Sequence, residues 1–90
     1  MSRPITSALQ LGAALREQRI ARGLTQAQLA EHASVSRAFV IDLEKGARPR
    51  AELTRVLAVV RALDLAITLD ADTTPSFTAA LDDLLGGSPR

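Results

Sequence analysis

Residues able to do chemistry are few in this 90-residue sequence, and most enzymatic arrangements fall away at once. There is no Cys and only one His, His32. That excludes disulfides, thiolate zinc sites and cysteine nucleophiles, and leaves no second imidazole for a metal cluster. Asp82 and Asp83 are adjacent on an expected helix, where neighbouring side chains diverge, so they read as solvated charges and not as an acid–base pair. By spacing His32 falls on the outer side of a helix and reads as a surface residue. There is no nucleophile–base pair and no phosphate-binding glycine loop, so no catalytic residue, metal or cofactor is expected. What remains is amide, hydroxyl and guanidinium: Gln26, Gln28, Ser36, Arg37, Lys45, Arg48 and Arg50. Groups of this kind hold phosphates and base edges.

The charge supports that direction. The formal net charge is only +1, but residues 1–61 hold ten Lys/Arg against five Asp/Glu, while residues 62–90 hold one Arg against five Asp. A basic body of +5 precedes an acidic tail of −4, which suggests two different partners. The N-terminus lacks the apolar core of a signal peptide, and the longest apolar run, residues 56–60, is too short to span a bilayer. A cytoplasmic location with no membrane partner is expected.

The elements that must position these groups are helical. Two Phe, no Trp and no Tyr, with 47% hydrophobic residues rich in Ala and Leu, describe one small all-α domain. Ser7-Ala8-Leu9-Gln10 fits a capping box opening a helix that Gly23 ends near Arg22, with Leu11, Ala14, Leu15 and Gln18/Arg19 along one face. Thr25 and Gln28 form a second capping box, flanked by Leu24 and Leu29 as a hydrophobic staple, for a short helix to about Ala33. Ser36 caps a third helix, Arg37 to Lys45, closed by Gly46. After the basic turn Ala47-Arg48-Pro49-Arg50 a fourth helix runs from about Ala51 to Leu63, with Leu53, Val56, Leu57, Val60 and Leu63 on one side. At Leu65-Ala66-Ile67-Thr68-Leu69 the period changes from 3.6 to 2, which argues for a short strand. A lone strand must pair with a second copy or remain an extended tail. Thr74-Pro75 can open a last helix bearing Phe77, Leu81 and Leu84, with Gly86 as its stop. That segment suits a partner-binding or dimer-packing helix, or a frayed tail.

Two short helices joined by a tight turn, between two longer ones, make a helix-turn-helix layout. The second short helix must enter a major groove, and the first must set its N-terminal N–H groups against a phosphate. Ser36, Arg37 and Ala38 stand at the leading end of the second, and Gln26 and Gln28 at the start of the first. Arg48 and Arg50 add charge where neighbouring phosphates would run.

Residues 24–30 and 35–46 resemble the helix-turn-helix signature of Cro/C1-type (XRE) DNA-binding proteins, over residues 11–63. The segment Leu63-Asp64-Leu65-Ala66-Ile67-Thr68-Leu69-Asp70 is similar to HipB-type antitoxins of HipA/HipB toxin–antitoxin pairs. The resemblance implies a lambda-repressor-like domain of four to five helices over residues 7–63. It further implies a strand over 64–70 that pairs across a homodimer, followed by an acidic tail or short helix over 71–90. It also implies a transcriptional repressor of its own operon that binds a HipA-like serine/threonine-kinase toxin. A stand-alone XRE-type regulator without a toxin is the alternative. By the same resemblance Gln26 contacts a phosphate, Ser36, Arg37 and Ala38 face DNA, and Asp42 reads a base or excludes one. Arg19 and Glu44 match a buried ion pair. Phe39 and Ile41 are apolar where many relatives carry Thr and Ser, and are placed on the DNA backbone and thymine methyls or against a neighbouring element. Ser34 stands where relatives often have Gly, so a left-handed turn there would be strained.

Overall fold

Hydroxyl caps start three of the helices. Ser7 Oγ accepts from the Gln10 N–H at 3.1 Å, Thr25 Oγ1 from the Gln28 N–H at 3.0 Å, and Ser36 Oγ from the Phe39 N–H at 3.0 Å. Each such cap contributes about 1 kcal/mol to the helix it opens. The computed structural model describes residues 4–72 and 84–86. Among them stand α1 (Ala8–Ala21), α2 (Gln26–Ala33), α3 (Arg37–Glu44) and α4 (Leu53–Ala62).

Two details of helix entry differ from expectation. Gln10 does reach back, but its Oε1 takes the Thr6 N–H at 2.6 Å, one residue before the cap. The full capping box forms only at Thr25, where Gln28 Oε1 accepts the Thr25 N–H at 2.8 Å. The fourth helix starts at Leu53, not Ala51. Pro49 instead occupies the second position of a turn closed by the Ala51 N–H on the Arg48 carbonyl at 3.1 Å, a place suited to its fixed φ.

All four helices close alike. Gly23, Ser34, Gly46 and Asp64 have left-handed φ of 70°, 57°, 70° and 59°. After each, the chain donates back into the last turn, as Val35 N–H does to the Ala30 carbonyl (3.0 Å) and Leu65 N–H to the Val60 carbonyl (3.1 Å). This is the Schellman arrangement.

The core is apolar and joins α2 to α3 and α4, with α1 laid on α3. Phe39, Leu29, Leu63, Val40 and Val59 are its most enclosed side chains. On α4 the buried stripe is Val56, Val59, Val60 and Leu63. Leu53 (66% exposed) and Leu57 (38%) lie beside it, not on it, so the expected face was rotated by part of a turn. Gly12 is buried where α1 meets α3. A Cβ there would run into the Leu43 carbonyl oxygen and lie 2.8 Å from that of Glu44, so the helices approach backbone to backbone.

Within one chain, residues 65–69 form neither helix nor strand. Leu65 packs on the core, while Ala66, Ile67, Thr68 and Leu69 are exposed. The expected last helix over Phe77 and Leu81 lies outside the described residues. Leu84 and Leu85 are exposed.

Candidate nucleic-acid interface

The turn that separates the two short helices begins at Ser34. Val35, half-buried, packs on the core, and Ser36 then caps α3. This sets which side of α3 faces out. Phe39, Val40, Leu43 and Glu44 point inward and are buried. Arg37, Ala38 and Lys45 are exposed, and Ile41 and Asp42 are half-exposed. At helical spacing these five form one continuous outward face, carrying two cations, one carboxylate and two apolar groups.

Phe39 does not belong to that face. It was placed among DNA-contacting residues, but its ring is 1% exposed and closes the core. Position 39 falls on the same side of the helix as 40 and 43, so burial of those residues carries Phe39 inward too. From outside, the Arg48 guanidinium carbon lies over the ring, 5.2 Å from its centroid.

A buried polar network fixes the start of α2 relative to the end of α3. Arg19 Nε and Nη2 donate to Glu44 Oε2 and Oε1 at 2.6 and 3.1 Å. Arg19 Nη1 donates to the Leu24 carbonyl at 2.7 Å, and Gln26 Nε2 donates to Glu44 Oε1 at 3.1 Å. One carboxylate thus collects a cation from α1 and an amide from the first residue of α2. Among the described residues no buried side-chain nitrogen or oxygen lacks a partner. Gln26 is therefore held from inside, while its amide carries two donor hydrogens. Gln28 is exposed at the same helix N-terminus, with its carbonyl oxygen engaged in the capping box.

The turn after α3 brings Arg48 beside Asp42, with Arg48 Nε 3.3 Å from Asp42 Oδ2. Arg50 is exposed on the same turn. Arg37, Lys45 and Arg50 make no ion pair with another described residue. The Arg48–Asp42 contact had no clear sequence signal, because its partners lie six positions apart across a helix end. Gly12 gave a weak signal, a glycine mid-helix.

The described residues contain no helix long and apolar enough to cross a membrane, and no His/Cys/Asp/Glu group able to hold a metal ion.

Comparison with known proteins agrees with this geometry. Residues 10–71 match the family model of the helix-turn-helix domain. The restriction-modification controller protein C.AhdI from Aeromonas hydrophila is 36% identical, with 66% of this chain and 88% of that one covered and a TM-score of 0.61. HipB in the HipB–O4 20mer complex is 27% identical, with 81% of this chain and 100% of that one covered and a TM-score of 0.72. A chain of the HipA–HipB–O2–O3 complex is 30% identical over the same shares, with a TM-score of 0.71. No curated protein matches. A match across more than half its length, on the residues that build α1 to α4 and the outward face of α3, shows that this chain belongs to the helix-turn-helix domain family of XRE type, DNA-binding regulators typically without enzymatic activity.

Proposed function

We propose that this chain is a cytoplasmic, sequence-specific repressor that acts as a homodimer. We further propose that it is the antitoxin of a HipA/HipB-type pair, repressing its own operon and binding a serine/threonine-kinase toxin. The outward face of α3 carries the reading. Arg37 and Ala38 lead it, Ile41, Asp42 and Lys45 continue it, and Arg48 and Arg50 flank it. Arg37 and Asp42 read base edges, Ala38 and Ile41 meet thymine methyls, and Lys45, Arg48 and Arg50 serve the phosphates. Gln26, Gln28 and Ser36 hold the phosphates at the two helix N-termini.

Exposed apolar surface supports the dimer. Leu53, Leu57 and Ile67 are open, and Leu69 is 93% exposed. Leu65, anchored on the core, starts an extended segment whose backbone can form a ladder with that of a second copy. A dimer would then present two copies of α3 to half-sites roughly 34 Å apart, one turn of DNA. The likeness to HipB chains along their full length supports the antitoxin role. A regulator without a toxin partner is the second reading, favoured by the 36% identity with a restriction-modification controller protein.

The experiment is selection of bound duplexes from a random pool, followed by footprinting and by co-expression with the adjacent gene. Two protected half-sites in register with one helical turn are expected, together with co-purification of a kinase-like protein. DNA binding without co-purification would leave the stand-alone regulator. Absence of salt-dependent DNA binding would overturn both readings.

A further inference from the structure

The side chain of Arg48 lies folded over α3 and is held there twice. Its Nε donates to Asp42 Oδ2 at 3.3 Å, and its guanidinium carbon stands 5.2 Å from the centroid of the Phe39 ring. The ring is itself buried in the core. Arg48 therefore rests over a buried aromatic ring, with a carboxylate on one side. Both charged side chains are still partly open, at 40% and 42%, so this latch is weak. An exposed pair of this kind shifts an equilibrium by at most about fivefold.

The position of the carboxylate is what needs an explanation. α3 carries two acids. Glu44 is buried against Arg19. Asp42 instead stands on the outward face, among Arg37, Lys45, Arg48 and Arg50. A carboxylate on a surface that approaches a polyanion costs affinity unless something compensates it. Here Arg48 compensates it, and while doing so Arg48 cannot fully neutralise a phosphate. On arbitrary DNA the protein either keeps the pair and forgoes one phosphate contact, or breaks it and leaves Asp42 bare beside phosphates. A base with an exposed amino group changes the balance. The N4 amino of cytosine or the N6 amino of adenine, both in the major groove, can donate to Asp42. The carboxylate then keeps a partner, and Arg48 is released to the backbone.

We infer that Asp42 is a specificity-determining residue that acts through Arg48, withholding one phosphate contact from DNA that offers no amino donor opposite it. This rests on the reading of α3 as the DNA-facing helix. It goes beyond that reading by coupling a base contact to a phosphate contact through an intramolecular ion pair.

The test measures binding by fluorescence anisotropy across a salt series. The probes are a random-sequence duplex and a duplex selected from a random pool. The proteins are the full-length wild type, Asp42→Ala, Arg48→Ala and the double variant, each checked for folding by circular dichroism. Wild type should show a salt slope steeper by about 0.9 on the selected duplex than on the random one, the increment of one phosphate contact. Asp42→Ala should bind random DNA about two- to fivefold tighter, with the steeper slope, and selected DNA more weakly, so the two substitution effects have opposite signs. In the Arg48→Ala background, Asp42→Ala should leave the salt slope on random DNA unchanged, because no Arg48 remains to be released to a phosphate. An equal steepening of the salt slope with and without Arg48 overturns the coupling, since Asp42 would then act by its charge alone. No gain on random DNA, in a wild type that binds, overturns it as well. A wild type that binds neither duplex overturns the DNA reading of α3 itself.

Discussion

Arg19 and Glu44, twenty-five positions apart, meet in a two-pronged ion pair, with Arg19 Nε 2.6 Å and Nη2 3.1 Å from the carboxylate oxygens. The side chains are 10% and 2% exposed. Their mutual attraction is offset by the cost of taking two charges out of water, so the pair adds little net stability. Its value is positional. Through Gln26 and the Leu24 carbonyl it ties the entry of α2 to the exit of α3, and the angle between those helices is what a DNA groove would meet.

Removing one partner should therefore be far worse than removing both. Arg19→Ala leaves Glu44 charged and buried with only an amide donor, and should cost about 3–5 kcal/mol in urea unfolding. The double variant Arg19→Met/Glu44→Leu should recover most of that loss. Recovery will be incomplete, because the Leu24 carbonyl and the Gln26 amide each lose a partner. Additive losses in the double variant would show that the two residues act independently.

Gly12 and Gly23 should respond differently to Ala. At Gly12 the new Cβ meets the Leu43 and Glu44 carbonyls, which are backbone and cannot rotate away. α1 must lift from α3, at a cost of about 1–3 kcal/mol or more. Gly23 faces open space, but its φ of 70° penalises any Cβ, at about 1 kcal/mol. Chemical denaturation should rank Gly12→Ala as the more damaging. The reverse order would mean that α1 yields easily on α3.

Ser34→Gly should stabilise the domain. Ser34 closes α2 at φ 57°, where a side chain is strained by about 1–2 kcal/mol and the extra freedom of unfolded Gly offsets roughly 0.5–1 kcal/mol of the gain. A net of about 0.5–1 kcal/mol should raise Tm by a few degrees in a domain of this size. A lower Tm would indicate that the Ser34 side chain holds the turn through contacts that outweigh the strain.

These positions show what could be read along the chain and what could not. The caps at Ser7, Thr25 and Ser36 and the stops at Gly23 and Gly46 are local, so residue type alone located them. The stop at Asp64 is equally local in geometry, but it uses a residue that only sometimes adopts a left-handed backbone. The rotation of the α4 stripe from Leu53 and Leu57 toward Val59 depends on where α2 sits. An apolar helix with several equivalent faces cannot announce that. Phe39 was misplaced for the same reason, because an aromatic at the front of α3 suits either a thymine methyl or a core. The Arg48–Asp42 latch crosses a turn, so side-chain reach decides it and spacing does not.

The dimer can be tested at one backbone position. Ile67 is exposed in an extended segment, and Ile67→Pro removes the N–H that a ladder would use. Sedimentation should show a monomer for this variant and a dimer for the wild type. A variant that remains dimeric would place the contact elsewhere, for example on Leu53 and Leu57.

Arg37 provides the most direct test of the reading helix. It is the first residue of α3, exposed, and makes no ion pair with another described residue. Arg37→Ala therefore gives up no ion pair with a described residue, and its thermal melt should match that of the wild type. On a selected duplex the variant should bind about 1–3 kcal/mol more weakly, with relaxed preference at one base pair. On random DNA the loss should be smaller, because only charge is missing there. Equal losses on both duplexes would move Arg37 from the base edges to the phosphates, while leaving α3 as the helix that faces DNA.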